Sequence, residues 1–314
     1  MDDYEEIIMI EFITSILAGG VLLSVTILFV SIGEVYNERA GVINLGLEAI
    51  ITLGAFVGLW VTFETGDYIL GTLAAIVSGA GVGLIHSLTC VKMRVNQLIA
   101  GLLILSLAAG LANFLYNIVL KKTVPIVTTL PSIYIPFLSD IPVLGEILFQ
   151  HNAFVYLAYF LAIVFGLILY KTTLGLKIRA VGENPEACDA AGINVNLIRH
   201  LCDIFSGAMA GLAGAYLSLG YLGLYDSGIA GGRGWIAIIV VIFSRWSPYR
   251  AILGSLIFGL GYSVAANLIG GGYIPSNWNY LVLIMPYLVA LVVIVLFRGT
   301  TKAPSALTVP YWRK

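Results

Sequence analysis

The chain has 314 residues, 60% of them apolar and only 11% charged, where soluble domains carry roughly 25% charged residues. A soluble fold of this size has no interior large enough for so much apolar surface, so lipid must be the solvent for much of the chain. A net charge of −1 on so few ionisable groups offers no basic face for nucleic acid.

Taken in chain order, apolar stretches of membrane-crossing character lie at 7–32, 42–63, 69–91, 97–119, 153–170, 200–222, 234–247, 251–269 and 280–297. The start, Met1-Asp-Asp-Tyr-Glu-Glu6, is acidic where a cleavable signal is basic, and the first apolar run exceeds a signal core. It is therefore expected to be a retained span. Stretch 234–247 would extend only about 21 Å at 1.5 Å per residue. Gly228, Gly231, Gly232 and Gly234 precede it, which suits a half-helix packed inside protein. The expected fold is an all-α polytopic membrane bundle of about nine transmembrane segments, forming a single domain over 1–314.

Basic residues set the orientation. With the N-terminus outside and nine alternating segments, Arg39, Lys92, Arg94, Lys171, Lys177, Arg179, Arg199, Arg245, Arg250, Arg298, Lys302, Arg313 and Lys314 fall inside. Only Lys121, Lys122 and Arg233 fall outside. The C-terminus is then inside, 120–152 is an external loop, and 171–199 is a cytoplasmic loop. Cys90, Cys188 and Cys202 all sit toward the inner side, with no CxxC pair and no metal-like spacing to histidine, so no metal is expected.

Gly207, Gly211 and Ala215 recur every fourth residue, as do Gly79 and Gly83. Such faces let helix backbones approach closely in lipid. Asn44 and Glu48 lie one turn apart on the second span. A carboxylate in a span must face protein or a water-filled cavity. Two readings stay open: Asn44 and Glu48 line a translocation path, or Asn44 staples a broken helix while Glu48 bonds a neighbouring backbone amide. No second carboxylate is expected at the depth of Glu48, which argues against a proton relay. Asn113, Tyr116 and Asn117 share the outer end of the fourth span and are further path candidates. Arg233 is expected to pair with Asp226, His86 to be a satisfied packing histidine, Asp203 and His200 to lie near water, and Trp246 to anchor at the interface.

The segment from Thr173 to Asn194 carries a strong local signal. Asn184 followed by Pro185 reads as a helix cap and first helical position, with Glu186 and Asp189 in the early turns and Gly192 closing the element. Gly175-Leu-Lys-Ile-Arg-Ala-Val-Gly-Glu-Asn-Pro-Glu-Ala187, continuing to Ala191-Gly-Ile193, resembles the coupling loop of ABC importer permeases. Ala40-Gly-Val-Ile-Asn-Leu-Gly-Leu-Glu48 and Gly232-Arg-Gly-Trp-Ile-Ala237 are similar to the nucleoside, sugar-type branch of the branched-chain amino acid, simple-sugar and nucleoside superfamily. Cys188 and Ser244 depart from that pattern, where Ala and Gly are usual.

The resemblance implies that Gly182, Glu183, Asn184, Glu186, Ala187 and Gly192 shape a helix that docks on a cytoplasmic ATPase. It also implies a second related permease subunit, identical or different, and an external solute-binding protein, all working in the cell membrane and its lipid. No phosphate-binding loop of the Gly-x-x-x-x-Gly-Lys-Ser/Thr type occurs, so ATP is expected on the partner ATPase and no cofactor on this chain. No catalytic set is evident, and the chain is not expected to be an enzyme. The competing readings are a branched-chain amino acid permease of the same machine class and an ion-coupled secondary transporter.

Overall fold

A computed structural model describes residues 2–119, 125–272, 274–296 and 302–312. They form α1 (Asp2–Arg39), α2 (Leu47–Thr65), α3 (Tyr68–Ser87), α4 (Gln97–Val119), α5 (Ala153–Lys171), α6 (Thr173–Glu183), α7 (Pro185–Ala190), α8 (Val195–Ala215), α9 (Arg233–Phe243), α10 (Pro248–Gly270), α11 (Asn279–Val282) and α12 (Met285–Leu296). α3 and α8 run on into wider π-helical turns, Leu88–Lys92 and Tyr216–Leu222. No strand occurs among the described residues.

Seven helices among those residues are long and apolar enough to cross a membrane: Met9–Arg39, Leu47–Thr65, Tyr68–Lys92, Gln97–Val119, Ala153–Lys171, Val195–Leu222 and Pro248–Gly270. The seventh expected stretch, 234–247, is the 11-residue helix α9. The ninth is broken into α11 and the 12-residue α12, and residues 297–301 just after α12 lie outside the described ones.

The small-residue faces meet each other. α3 crosses α8 where Gly79 and Gly83 oppose Gly207 and Gly211, and a Cβ on Gly79 would fall 2.8 Å from Gly211 Cα. α2 lies against the same side of α8, with Gly54 opposite Gly211. In lipid no hydrophobic drive holds helices together, so this backbone-to-backbone van der Waals contact supplies the adhesion. α1 runs through the middle of the bundle, and its segment from Ser24 to Asn37 is buried on all sides.

The first span differs from expectation. The loop expected at 33–41 is instead the last two turns of α1, with Glu34 and Asn37 fully buried and Glu38 1% exposed. Their i, i+3, i+4 spacing places all three on one helix face, so the helix stays inside protein rather than emerging into water. Of the cations used to orient the chain, Arg199 is a buried residue of α8, while Lys121, Lys122, Arg298, Arg313 and Lys314 lie outside the described residues.

Candidate functional site

The bundle has two chemically distinct ends. One carries α6, α7 and the segment 302–312. The other carries residues 125–152 and the joint between α8 and α9.

At the first end, Asn184 caps α7 through its side chain, which accepts from Ala187 N at 3.0 Å, and Pro185 opens the helix. A carbonyl-type acceptor at this position satisfies one of the free N–H groups of the first turn. Gly192 then takes the left-handed conformation at φ +80° that ends the element. Glu183, Asn184, Glu186, Ala187 and Gly192 are exposed, whereas Gly182 and Cys188 face inward. Burial raises the thiol of Cys188 above its ordinary range, so it is an inert apolar wedge under the helix.

This end is laced to the bundle by the chain's last described segment. Ala306 N donates to Gly182 O at 2.8 Å, Ser305 Oγ to Glu183 Oε2 at 2.9 Å, and Tyr311 Oη to Asp189 Oδ2 at 2.9 Å. Thr308 N donates to Gly41 O at 3.2 Å. Arg199 reaches from α8 to Ala40 O at 3.1 Å and Val309 O at 2.9 Å. Thus α7, the C-terminal end of α1 and the start of α8 form one connected body, whose Gly182 packs against Arg39 O with no room for a side chain.

Above that end lies a buried polar layer. Glu34 accepts from Asn44 N at 2.9 Å, Ser206 Oγ at 2.7 Å and Asn37 Nδ2 at 3.1 Å. Asp203 contacts His86 Nδ1 at 2.6 Å and accepts more weakly from Asn37 and Asn44, both at 3.4 Å. His86 is the satisfied packing histidine that was expected, but Asp203 is fully buried rather than near water. Trp246 is not an interfacial anchor: it is buried, and its Nε1 donates to Glu38 Oε2 at 2.6 Å. Each of these acids lies in a bilayer-length helix and is held by side-chain or backbone donors, most of them from elsewhere in the chain, the arrangement that makes a membrane-embedded carboxylate tolerable.

The two readings of Asn44 and Glu48 can now be compared in space. Asn44 Oδ1 accepts from Gly46 N at 2.8 Å, in the turn between α1 and α2. Gly41 in the same turn has φ +95°, which favours glycine. Glu48 Oε1 accepts from Gly232 N at 2.6 Å, and Oε2 from Gly234 N at 2.7 Å. These N–H groups open α9, so a carboxylate from α2 caps the short helix from outside. The geometry has Asn44 as a staple and Glu48 as a remote cap.

At the other end, Tyr225 Oη donates to Asn113 Oδ1 at 3.2 Å and its ring lies 4.9 Å from that of Tyr116. Asn117 Nδ2 donates to Asn113 O at 2.7 Å. This trio stands on α4, apart from Asn44 and Glu48, so the five path candidates form two separate groups. Arg233 does not pair with Asp226. Its Nη1 donates to Ile229 O and Ala230 O, and its guanidinium lies 4.8 Å from the centre of the Tyr262 ring.

Two adjoining cavities, of about 410 and 460 Å³, open between α1, α10 and this joint, sharing Leu23, Tyr221 and Ala266. Both fall within the size range of small-molecule sites. None of the five path candidates lines them. The residues that do, Tyr221, Tyr262 and Arg233 among them, are separated in sequence and carry no motif.

The family described as branched-chain amino acid transport system, permease component, matches residues 16–294. A putative glucose ABC transporter permease protein of Haloferax volcanii is 37% identical over 80% of this chain and 76% of its own length. A nucleoside ABC transporter permease protein of Lactococcus lactis is 33% identical over 94% of this chain and 96% of its own length. A guanosine ABC transporter permease protein of Bacillus subtilis is 34% identical over 96% and 98%. No solved structure matches. With its apolar helices and its full-length relatives, the chain belongs to the branched-chain amino acid transport permease family and is an integral ABC permease of the cell membrane.

Proposed function

We propose that this chain is one transmembrane subunit of an ATP-driven nucleoside importer, with α7 as the helix that engages a separate ATPase. The observation that carries this reading is the pairing of an exposed, capped α7 with relatives named for nucleoside and guanosine transport that match nearly the whole chain. In this reading Gly182, Glu183, Asn184, Glu186, Ala187 and Gly192 form the ATPase-facing element. Closure of the ATPase displaces α7, and the bonds from Gly182, Glu183 and Asp189 to residues 305–311 carry that displacement to α1 and α8 as one body.

The same reading puts the N-terminus outside and α7 in the cytoplasm. It counts α9 as a half-helix and α11–α12 as the last, broken segment, giving nine. Its partners are the ATPase, a second permease subunit of the same or a related sequence, and an external protein that delivers the solute. ATP stays on the ATPase. Asn44 and Glu48 shape the turn and the half-helix beside the path, and Asn113, Tyr116 and Asn117 stand at its outer side. A simple-sugar substrate is the second reading, favoured by the 37% identity to the putative glucose permease.

The test is uptake into proteoliposomes holding the assembled transporter. Radiolabelled guanosine should accumulate only with ATP inside the ATPase-containing complex, and adenosine should compete while glucose and leucine do not. Competition by glucose with no response to nucleosides would replace the nucleoside reading with the sugar one. Accumulation by this chain alone, without an ATPase, would remove the importer assignment.

A further inference from the structure

The joined cavities beside α1 and α10 differ chemically from end to end. The larger one is lined by Tyr221, Tyr262, Tyr287 and Arg233. Tyr262 is pinned by donating to Gly231 O at 2.9 Å, which holds its ring under the guanidinium. Arg233 keeps a buried Nε with no partner. An unpaired buried donor is costly, by about 1–3 kcal/mol, and its presence beside a cavity points to an acceptor supplied by a ligand. This end offers flat aromatic surface and N–H donors.

The smaller cavity is lined by Glu146, Gln150, His151, Ser15 and Asn267. Gln150 commits Nε2 to Ser139 O at 2.9 Å, leaving Oε1 to accept. His151 lies outside the spans, and burial holds its imidazole below the ordinary range, so it is neutral at pH 7. With Nε2 donating to Ile147 O at 2.8 Å, Nδ1 is left as an acceptor. With the Glu146 carboxylate, this end is rich in acceptors and bears negative charge.

Resting on the nucleoside reading above, we infer that these two cavities form one solute site for an unphosphorylated purine nucleoside. The base lies against Tyr221 with Arg233 donating to its ring acceptors. The three ribose hydroxyls donate to Gln150, His151 and Glu146. Tyr221 is the hinge of the site because it lines both cavities. Glu146 repels a 5′-phosphate, so nucleotides are excluded by charge, and a solute without a flat ring leaves the aromatic end unfilled.

The experiment uses the assembled transporter in proteoliposomes. Stacking of a base on an aromatic side chain accounts for about 5- to 150-fold in binding, so Tyr221→Leu should slow guanosine uptake by about tenfold, while Tyr221→Phe stays within about twofold of wild type. Because Cys90, Cys188 and Cys202 are buried, Tyr221→Cys adds a reachable thiol. Millimolar guanosine should slow its labelling by a maleimide several-fold, and glucose should not. Glu146→Gln should let guanosine 5′-monophosphate compete where it does not in wild type. Wild-type uptake of guanosine together with unchanged uptake by Tyr221→Leu, or unprotected labelling of Tyr221→Cys, overturns this site while leaving the nucleoside reading intact. Absence of wild-type guanosine uptake overturns the nucleoside reading itself.

Discussion

Replacing Gly54 by alanine puts a methyl carbon 2.6 Å from Gly211 O and 2.7 Å from Gly211 Cα, both backbone atoms of α8. Ordinary contacts at such positions begin at 3.4 Å, so α2 and α8 would have to separate by about 0.8 Å along their closest line. Neither atom can rotate away. Overpacking of this kind costs about 1–3 kcal/mol, and in lipid no hydrophobic drive offsets it. The control is Gly81→Ala on α3, where an added Cβ meets nothing within 4 Å. There alanine favours the helix by about 0.5–1 kcal/mol. Purified protein in mild detergent should therefore melt several degrees lower for Gly54→Ala and no lower than wild type for Gly81→Ala, followed by loss of the monodisperse peak on size exclusion after heating. If both variants melt together with wild type, the close backbone crossing on α8 does not hold the bundle, and the packing argument falls.

Glu48→Gln keeps the side-chain length but offers one acceptor oxygen where two N–H groups need one each, so a buried donor at the start of α9 is left unmet at about 1–3 kcal/mol. Hydrogen exchange at 229–236 should accelerate, and an unchanged rate would contradict the remote cap. Asp203→Ala strips partners from His86, Asn37 and Asn44 inside the bundle. It should cost about 3–5 kcal/mol, visible as a larger fall in melting temperature than His86→Ala produces; the reverse order would contradict the network. Arg199→Lys loses the fork that holds Ala40 O and Val309 O together. Exchange protection should fall in 302–312 with little change in α2–α4, and a uniform change across the chain would show that Arg199 does not tie that segment down.

The fold was legible where one physical signal dominated. The fourth and fifth apolar runs match α4 and α5 to within a residue because hydrophobic length alone sets them. The Asn184-Pro185 start and the Gly192 stop of α7 were readable because capping is local chemistry. The end of α1 was not, because Glu34, Asn37 and Glu38 look like a loop unless their common helix face is noticed and partners exist in other helices. Those partners, Ser206, Asp203 and Trp246, lie far along the chain, and no local rule joins them. Glu48 shows the same limit. Its spacing from Asn44 was visible, but the amides it caps belong to Gly232 and Gly234, a relation only the folded bundle reveals. The two cavities left no pattern at all, since Ser15, Gln150, Tyr221 and Tyr262 come from four different elements.

Transmission through α7 is most directly tested with Ala187→Arg, which sets a long cation on an exposed face without touching the Asn184 cap or the 302–312 contacts. In proteoliposomes carrying the assembled transporter, ATP-driven guanosine uptake should drop at least about tenfold, as expected when a bulky charge fills a close docking surface, while membrane insertion and melting stay at wild-type values. Uptake at the wild-type rate with the arginine in place would contradict the assignment of this helix as the contact through which ATP hydrolysis moves the bundle.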